Sequence, residues 1–90
     1  MAKAKVKFHE TPNPNAGTFT VGRTLVDGRS GLTFDSPAEA RGDAVAARLM
    51  AEPGVRSVFM VADFVTVTKD DAASWTDLAP RVQAALRETL

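Results

Sequence analysis

His9 and Glu10 are the residues of this sequence best suited by type to acid–base chemistry. They stand side by side in residues 3–10, where apolar and polar side chains alternate. Alternation predicts a β-strand, whose neighbouring side chains point to opposite faces of the sheet. The two side chains therefore make a poor acid–base pair, and no nucleophile is marked near them. We expect His9 to be a solvated strand residue and the domain not to be an enzyme.

The sequence lacks the residues that a metal site or a phosphate-binding loop requires. The chain has no cysteine and one histidine, so it offers neither thiolate ligands nor a tetrahedral zinc site. We expect Asp70 and Asp71 to favour the positive N-terminal end of the last helix rather than to bind a cation. Gly28 and Gly31 are typical of a turn, and no Gly-Lys-Ser/Thr follows them. The sequence predicts no metal site and no cofactor.

Composition and charge are those of an ordinary soluble domain. The 90 residues, 44% of them hydrophobic, suffice for one domain over 1–90. Eleven basic and eleven acidic residues balance, which leaves no net charge to attract nucleic acid or anionic lipid. No apolar run approaches the roughly 18 residues of a membrane span, and none follows the first lysines as in a secretory signal. We expect a cytoplasmic protein without a nucleic-acid or membrane partner.

The stretch "HETPNPNAGTF", His9 to Phe19, is the least ordinary part of the sequence. It places two prolines and two asparagines in a loop of seven residues, 11–17, between two predicted strands. Proline restricts φ and asparagine closes turns on its own backbone, so we expect an ordered loop with little entropy to lose on binding. A partner-binding loop and a plain structural loop are the two interpretations.

Other side chains are open to two interpretations each. Lys3, Lys5 and Lys7 share the polar face of the first strand, and Arg23 joins them if the first two strands pair. This face is suited to a small anionic ligand or a phosphopeptide, although lysines also protect an edge strand from aggregation. Trp75 is either a core residue or a partly exposed anchor for a partner. A third possibility is weak binding of iron or of a cluster across a dimer through His9 and carboxylates.

The first half of the chain predicts strands and then a helix. The second strand covers 18–23, with Phe19 and Val21 facing inward, and a short third strand is possible in "LTFD". Ser36 begins a short turn at 36–41, and Asp43 caps a helix at about 44–52. Pro53 and Gly54 end that helix.

The second half predicts a hairpin and a longer helix. Residues 55–61 and 64–69 are rich in β-branched and aromatic residues, and Asp63 and Phe64 stand at the hairpin tip. They are either turn residues or a second contact point. The last helix has one apolar face, with Pro80 expected to bend its first turn or delay its start. The predicted fold is a two-layer α+β sandwich, β-β-(β)-α-β-β-α, with a mostly antiparallel sheet and two helices on one face.

Five segments carry a family resemblance. They are "TPNPNA" (Thr11 to Ala16) with Phe19, "FDS" at 34–36, "GDAVAARLMAEPGVRSVF" (Gly42 to Phe59), "DFVTVTK" (Asp63 to Lys69), and Trp75 with Leu78 and Pro80. In this order they resemble the N-terminal domain of Nfu/NifU-type iron–sulfur cluster scaffold proteins. Two departures, Gly17-Thr18 for larger residues and Val61-Ala62 where longer members tend to have a glycine, bear on the shapes of the loop and the hairpin tip.

The resemblance implies a role in recognition. It implies a non-catalytic accessory or adaptor domain that binds an iron–sulfur assembly or target protein. The ordered polar loop and the hairpin tip are the candidate contacts, since the domain has no chemistry of its own; their residues are Thr11, Pro12, Asn13, Pro14, Asn15, Asp63 and Phe64. In the family a separate C-terminal domain carries the Cys-x-x-Cys that holds the cluster. Because this sequence has no cysteine, the resemblance implies a standalone form without that domain.

Overall fold

A computed structural model of the chain describes residues 6–22, 31–36 and 38–89. The predictions that concern Lys3, Lys5, Arg23 and Gly28 lie outside these residues. The elements are β1 (Lys7–Glu10), β2 (Ala16–Thr20), β3 (Leu32–Phe34), a 3₁₀ turn (Glu39–Gly42), α1 (Ala44–Met50), β4 (Val55–Val61), β5 (Phe64–Lys69) and α2 (Trp75–Thr89). This order confirms the predicted one, including the short third strand.

The five strands form one antiparallel sheet in the order β1-β2-β5-β4-β3. Alternate residues of its central strands face the two helices, as the period-two pattern predicted. Side chains at most 2% exposed form the core between sheet and helices: Phe19, Val21, Val58, Met60, Val65 and Val67 from the sheet side, and Leu49, Leu78, Val82 and Leu86 from the helices. The α+β sandwich is therefore confirmed.

The second strand begins two residues earlier than predicted and ends at Thr20, since Val21 and Gly22 are outside it. Ala16 pairs with Thr68, and Gly17 pairs with Val67 on one side and with Glu10 on the other. Strand pairing thus continues up to the asparagine turn, and the loop between β1 and β2 covers residues 11–15 rather than 11–17. We call it the 11–15 loop.

Helix boundaries follow the predicted capping residues. Asp43 Oδ1 accepts a hydrogen bond from the Ala46 amide at 3.0 Å and caps α1. Gly54 adopts a left-handed φ of +97° after the helix, which favours glycine at that position. The helix ends at Met50, two residues before the predicted end. The turn before it covers 39–42 rather than 36–41, and Ser36 Oγ accepts from the Glu39 amide at 3.2 Å.

The last helix starts at Trp75, so Pro80 does not delay it. Ser74 precedes the helix, and its hydroxyl accepts a hydrogen bond from the Thr76 amide at 3.2 Å. Near the other end of α2, Glu88 accepts from Arg48 of α1 at 3.1 Å. Hydrogen bonds with Glu52 and Glu88 raise the pKa of Arg48. Neither described helix has the length and apolar character needed to cross a membrane.

Candidate protein-binding surface

The 11–15 loop is held together by hydrogen bonds of its own. Thr11 Oγ1 accepts from the Asn13 amide at 3.2 Å and lies 2.9 Å from the carbonyl oxygens of both Asn13 and Ala16, which share its single hydroxyl proton. Asn13 Oδ1 accepts from the Asn15 amide at 2.9 Å, which is the expected side-chain turn. The Ala16 amide donates to the Asn13 carbonyl at 3.0 Å. The loop therefore has its shape without a partner.

Asn15 does not close a turn with its own side chain, contrary to the prediction; it ties the loop to the end of β5. Its carbonyl accepts from the Lys69 amide at 2.7 Å, and its Oδ1 accepts from Lys69 Nζ at 3.0 Å. Its Nδ2 donates to Asp71 Oδ1. Lys69 is only 8% exposed, so Asn15 supplies a hydrogen bond to the ammonium group of a largely buried lysine. Two of the loop's predicted contact residues, Asn13 and Asn15, thus have structural roles.

Trp75, the first residue of α2, lies against the loop. Its Nε1 donates a hydrogen bond to the Pro14 carbonyl at 3.0 Å. Its ring lies 5.2 Å from that of Phe8 and 6.1 Å from that of Phe19, between centroids. Gly17 makes room for this packing, because a Cβ at that position would overlap the Phe8 ring and come within 3.1 Å of the indole. Trp75 is half-buried and packs on the core, as one of its two interpretations predicted, and its role as an anchor for a partner stays a prediction.

The remaining surface of Trp75 lines a pocket of about 250 Å³. The other lining residues are Glu10, Thr11, Asn13, Pro14 and Ala16. We call this the Trp75 pocket. Pro12, Asn13 and Pro14 are exposed at its edge. The sequence predicted the loop but neither Glu10 nor the contact with Trp75, because Pro14 and Trp75 are 61 residues apart along the chain.

A second pocket of about 350 Å³ is lined by the segment that leads into α2 and by the first turns of that helix. Asp70, Asp77 and Arg81 are among its lining residues. It therefore carries charges of both signs and indicates no preferred class of ligand.

The hairpin tip does not join the 11–15 loop. Thr20 pairs with Phe64, whereas Ala16 pairs with Thr68, so the tip lies at the opposite end of β5 from the loop. The five residue steps from Phe64 to Lys69 correspond to about 16 Å. Asp63 holds the tip to the neighbouring strand, because its carbonyl accepts from the Val21 amide at 2.9 Å. The predicted contact residues thus form two separate surfaces.

Lys7 and His9 lie on the sheet face away from the helices, opposite Thr20 and Thr18. The rest of the predicted anion-binding set lies outside the described residues, so that hypothesis stays a prediction. Within 6–22, 31–36 and 38–89, no three His, Cys, Asp or Glu side chains come together as a metal site. The proposed iron or cluster site across a dimer stays a prediction as well.

Comparison with known families identifies the family of this chain. The profile of the family described as "Scaffold protein Nfu/NifU N terminal" matches residues 6–90. The chain belongs to this family. The resemblance carried by "TPNPNA" and "DFVTVTK" is therefore confirmed, and we refer below to an Nfu N-terminal-type domain.

Named relatives include iron–sulfur scaffold proteins. The chain is 34% identical over 84 residues to the human protein named "NFU1 iron-sulfur cluster scaffold homolog, mitochondrial", covering 92% of this chain and 33% of that protein. It is 35% identical over 83 residues to "NifU-like protein 4, mitochondrial" of Arabidopsis thaliana, covering 92% of this chain and 29% of that protein. The Nfu N-terminal-type domain thus spans about a third of the length of these relatives.

Solved structures share its architecture. A crystal structure of a Staphylococcus aureus protein superposes with a TM-score of 0.80 at 29% identity, covering 90% of this chain and 96% of that one. The solution structure of a NifU-like protein from Saccharomyces cerevisiae also has a TM-score of 0.80, at 26% identity, covering 96% of this chain and 77% of that one.

Proposed function

We propose that this Nfu N-terminal-type domain is a non-catalytic recognition module of iron–sulfur cluster assembly. It binds an assembly or target protein through the 11–15 loop and the Trp75 pocket. The observation that carries the proposal is a loop already ordered by its own hydrogen bonds beside a pocket lined by an aromatic ring. A preorganised loop loses little entropy on binding, and tryptophan is among the residues that contribute most to protein–protein affinity.

In this proposal the iron–sulfur cluster is the cargo of the complex and not a group that these 90 residues hold. They contain no cysteine and so supply no thiolate, the usual protein ligand of such clusters. The non-enzymatic role is supported by the alternation of His9 and Glu10 along β1, which separates the acid–base residues. The expected cytoplasmic location stays a prediction, since the two relatives above are named as mitochondrial.

A comparison of two surface variants tests the proposal. Pro12→Ala with Pro14→Ala removes two exposed rings but keeps the Pro14 carbonyl that accepts from Trp75. Asp63→Ser alters the hairpin tip, at the other end of β5. Binding is measured by surface plasmon resonance against the purified scaffold and recipient proteins of cluster assembly from the same organism.

We expect the double loop variant to weaken binding at least about fivefold, the scale of a contact worth about 1 kcal/mol. The Asp63→Ser variant is expected to bind like the wild type. Weaker binding of Asp63→Ser, with unchanged binding of the double loop variant, would assign recognition to the hairpin tip. No binding of the wild-type domain to any of these proteins would contradict the proposal itself.

A further inference from the structure

The Trp75 pocket carries one charged side chain. Glu10 is the only acidic or basic residue among the six that line the pocket, and it is exposed. None of the ion pairs found among the described residues includes it. The carboxylate is therefore available to a partner at the edge of the pocket.

The oxygen atoms of the pocket's other polar side chains face the loop itself. Thr11 Oγ1 and Asn13 Oδ1 take part in the hydrogen bonds that order residues 11–16. Pro14, Ala16 and Trp75 add apolar wall to the same pocket. An incoming group thus meets an aromatic and aliphatic wall with one negative charge at its edge.

The size of the pocket suits a single side chain. Its volume of about 250 Å³ falls below the roughly 300–1,000 Å³ that is typical of sites for small-molecule ligands and cofactors. A long side chain with an apolar stem and a positive end matches both the wall and the charge. Among such side chains, arginine is the one whose planar guanidinium both stacks on an indole and pairs with a carboxylate.

We propose that the Trp75 pocket takes an arginine side chain of the partner protein, with its stem and guanidinium plane against Trp75 and its charge beside Glu10. The inference rests on the proposed function, in that it names the chemistry of the partner at the same site. The segment of the partner that the pocket recognises is therefore expected to be basic rather than purely apolar.

Two blocked tripeptides that differ only in charge test the inference. N-acetyl-Gly-Arg-Gly-amide is compared with the peptide that has citrulline, the neutral isostere, in place of arginine. Trp75 is the only tryptophan of the chain, so its indole N–H signal in NMR spectra reports directly on the pocket. Both peptides are titrated at low salt into the wild type, into Glu10→Gln and into Glu39→Gln. The last variant is the matched control, because Glu39 is exposed in the 3₁₀ turn and does not line the pocket.

We expect the arginine peptide to shift the indole signal and to bind about two- to fivefold more tightly than the citrulline peptide, as for one exposed ion pair. The preference should disappear in Glu10→Gln and persist in Glu39→Gln. Equal affinity of the two peptides for the wild type overturns the inference, and so does a preference that survives Glu10→Gln. A third peptide carries norleucine in place of arginine; if it binds more tightly than the arginine peptide, the pocket is a site for apolar side chains and the inference is overturned. The absence of any indole shift at about 20 mM arginine peptide would also overturn the inference.

These outcomes are independent of the test of the proposed function, because the peptides contain no part of a cluster-assembly protein. A domain that binds its assembly partner through the loop but shows no arginine preference keeps the proposed function and loses this inference. A domain that prefers the arginine peptide but binds no assembly protein loses the proposed function instead.

Discussion

Asn15 is the residue on which the candidate surface depends most. Its main-chain carbonyl and its side-chain Oδ1 both accept from Lys69, and its side-chain Nδ2 donates to Asp71. Lys69 Nζ has one further acceptor, the Asp70 carbonyl at 3.3 Å. Because a buried ammonium needs its hydrogen bonds, Asn15 links the position of the loop to the stability of the domain.

Replacing Asn15 with alanine should lower the free energy of unfolding by about 1–3 kcal/mol, since the variant leaves Lys69 short of an acceptor. Asn13→Ala is the matched control. Asn13 is exposed and its Oδ1 accepts one hydrogen bond, from a neighbouring amide, so its loss should be smaller, about 0.5–1 kcal/mol. Urea denaturation of both variants measures the difference. Equal losses would show that the bond to Lys69 contributes nothing beyond the local turn.

Local sequence patterns predicted only one of these two asparagine roles. The turn closed by Asn13 joins residues two apart, so the side-chain chemistry of "PNPN" is enough to predict it. The bond from Asn15 to Lys69 joins residues 54 apart, and it depends on β2 and β5 being neighbours in the sheet. The arrangement of the strands in the sheet was not predictable from periodicity. Any arrangement that keeps the same strand faces toward the helices has the same alternation of apolar and polar residues.

At the scale of elements, β1, β2 and α2 meet around Gly17. Phe8 of β1 and Trp75 of α2 both lie over this glycine, with their rings 5.2 Å apart between centroids. The absence of a side chain there lets the aromatic rings reach the backbone of β2. The sequence identified Gly17 as a departure from the family pattern, and the structure shows the packing that the glycine permits.

Gly17→Ala should lower the free energy of unfolding by about 1–3 kcal/mol, because the new methyl group overlaps the Phe8 ring. It should also move Trp75 and change its fluorescence. Gly42→Ala is the control, since a Cβ there has no neighbour within 4 Å; this change should be neutral or stabilise by up to about 1 kcal/mol. If both alanine variants unfold at the same urea concentration, the packing of Phe8 and Trp75 does not require a glycine.

The β4–β5 hairpin contains the one non-glycine residue with positive φ in the described part of the chain, Ala62 at +51°. The left-handed conformation is costly for a residue with a Cβ. Ala62→Gly should therefore raise the free energy of unfolding by about 0.5–1 kcal/mol, after the greater entropy of glycine in the unfolded state is included. Ala84→Gly, at an exposed position inside α2, should instead lower it by about 1 kcal/mol. Thermal unfolding of the two variants decides between these signs, and a lower stability of Ala62→Gly would contradict the account.

The element boundaries were predictable where capping or turn chemistry is local. Asp43, Pro53 and Gly54 indicated the limits of α1 to within two residues, and "VRSVFMV" and "FVTVTK" indicated β4 and β5. The start of β2 was not predictable from local sequence, because Ala16 and Gly17 have low strand propensity. They are in the strand because β5 pairs with both of them and β1 also pairs with Gly17.

At the scale of the whole molecule, the sheet separates two surfaces. The 11–15 loop and the Trp75 pocket lie at the end of β5 that Lys69 occupies, and the hairpin tip with Asp63 and Phe64 lies at the other end. The sequence indicated the loop and the tip as candidate contacts but not the distance between them. The net charge is zero, so the domain has no overall charge to attract a partner, and the proposed recognition rests on local shape and individual charges.

The most direct test of the account is a map of the partner's contact on the whole domain. The ¹⁵N-labelled domain is titrated with the purified cluster-assembly scaffold and recipient proteins of the same organism, and the amide shifts are followed by NMR. We expect the largest changes in residues 10–16 and in the Trp75 indole, with residues 61–64 unchanged. Largest changes at 61–64 or on the sheet face of Lys7 and His9, or no change at saturating partner, would contradict the assignment of recognition to the loop.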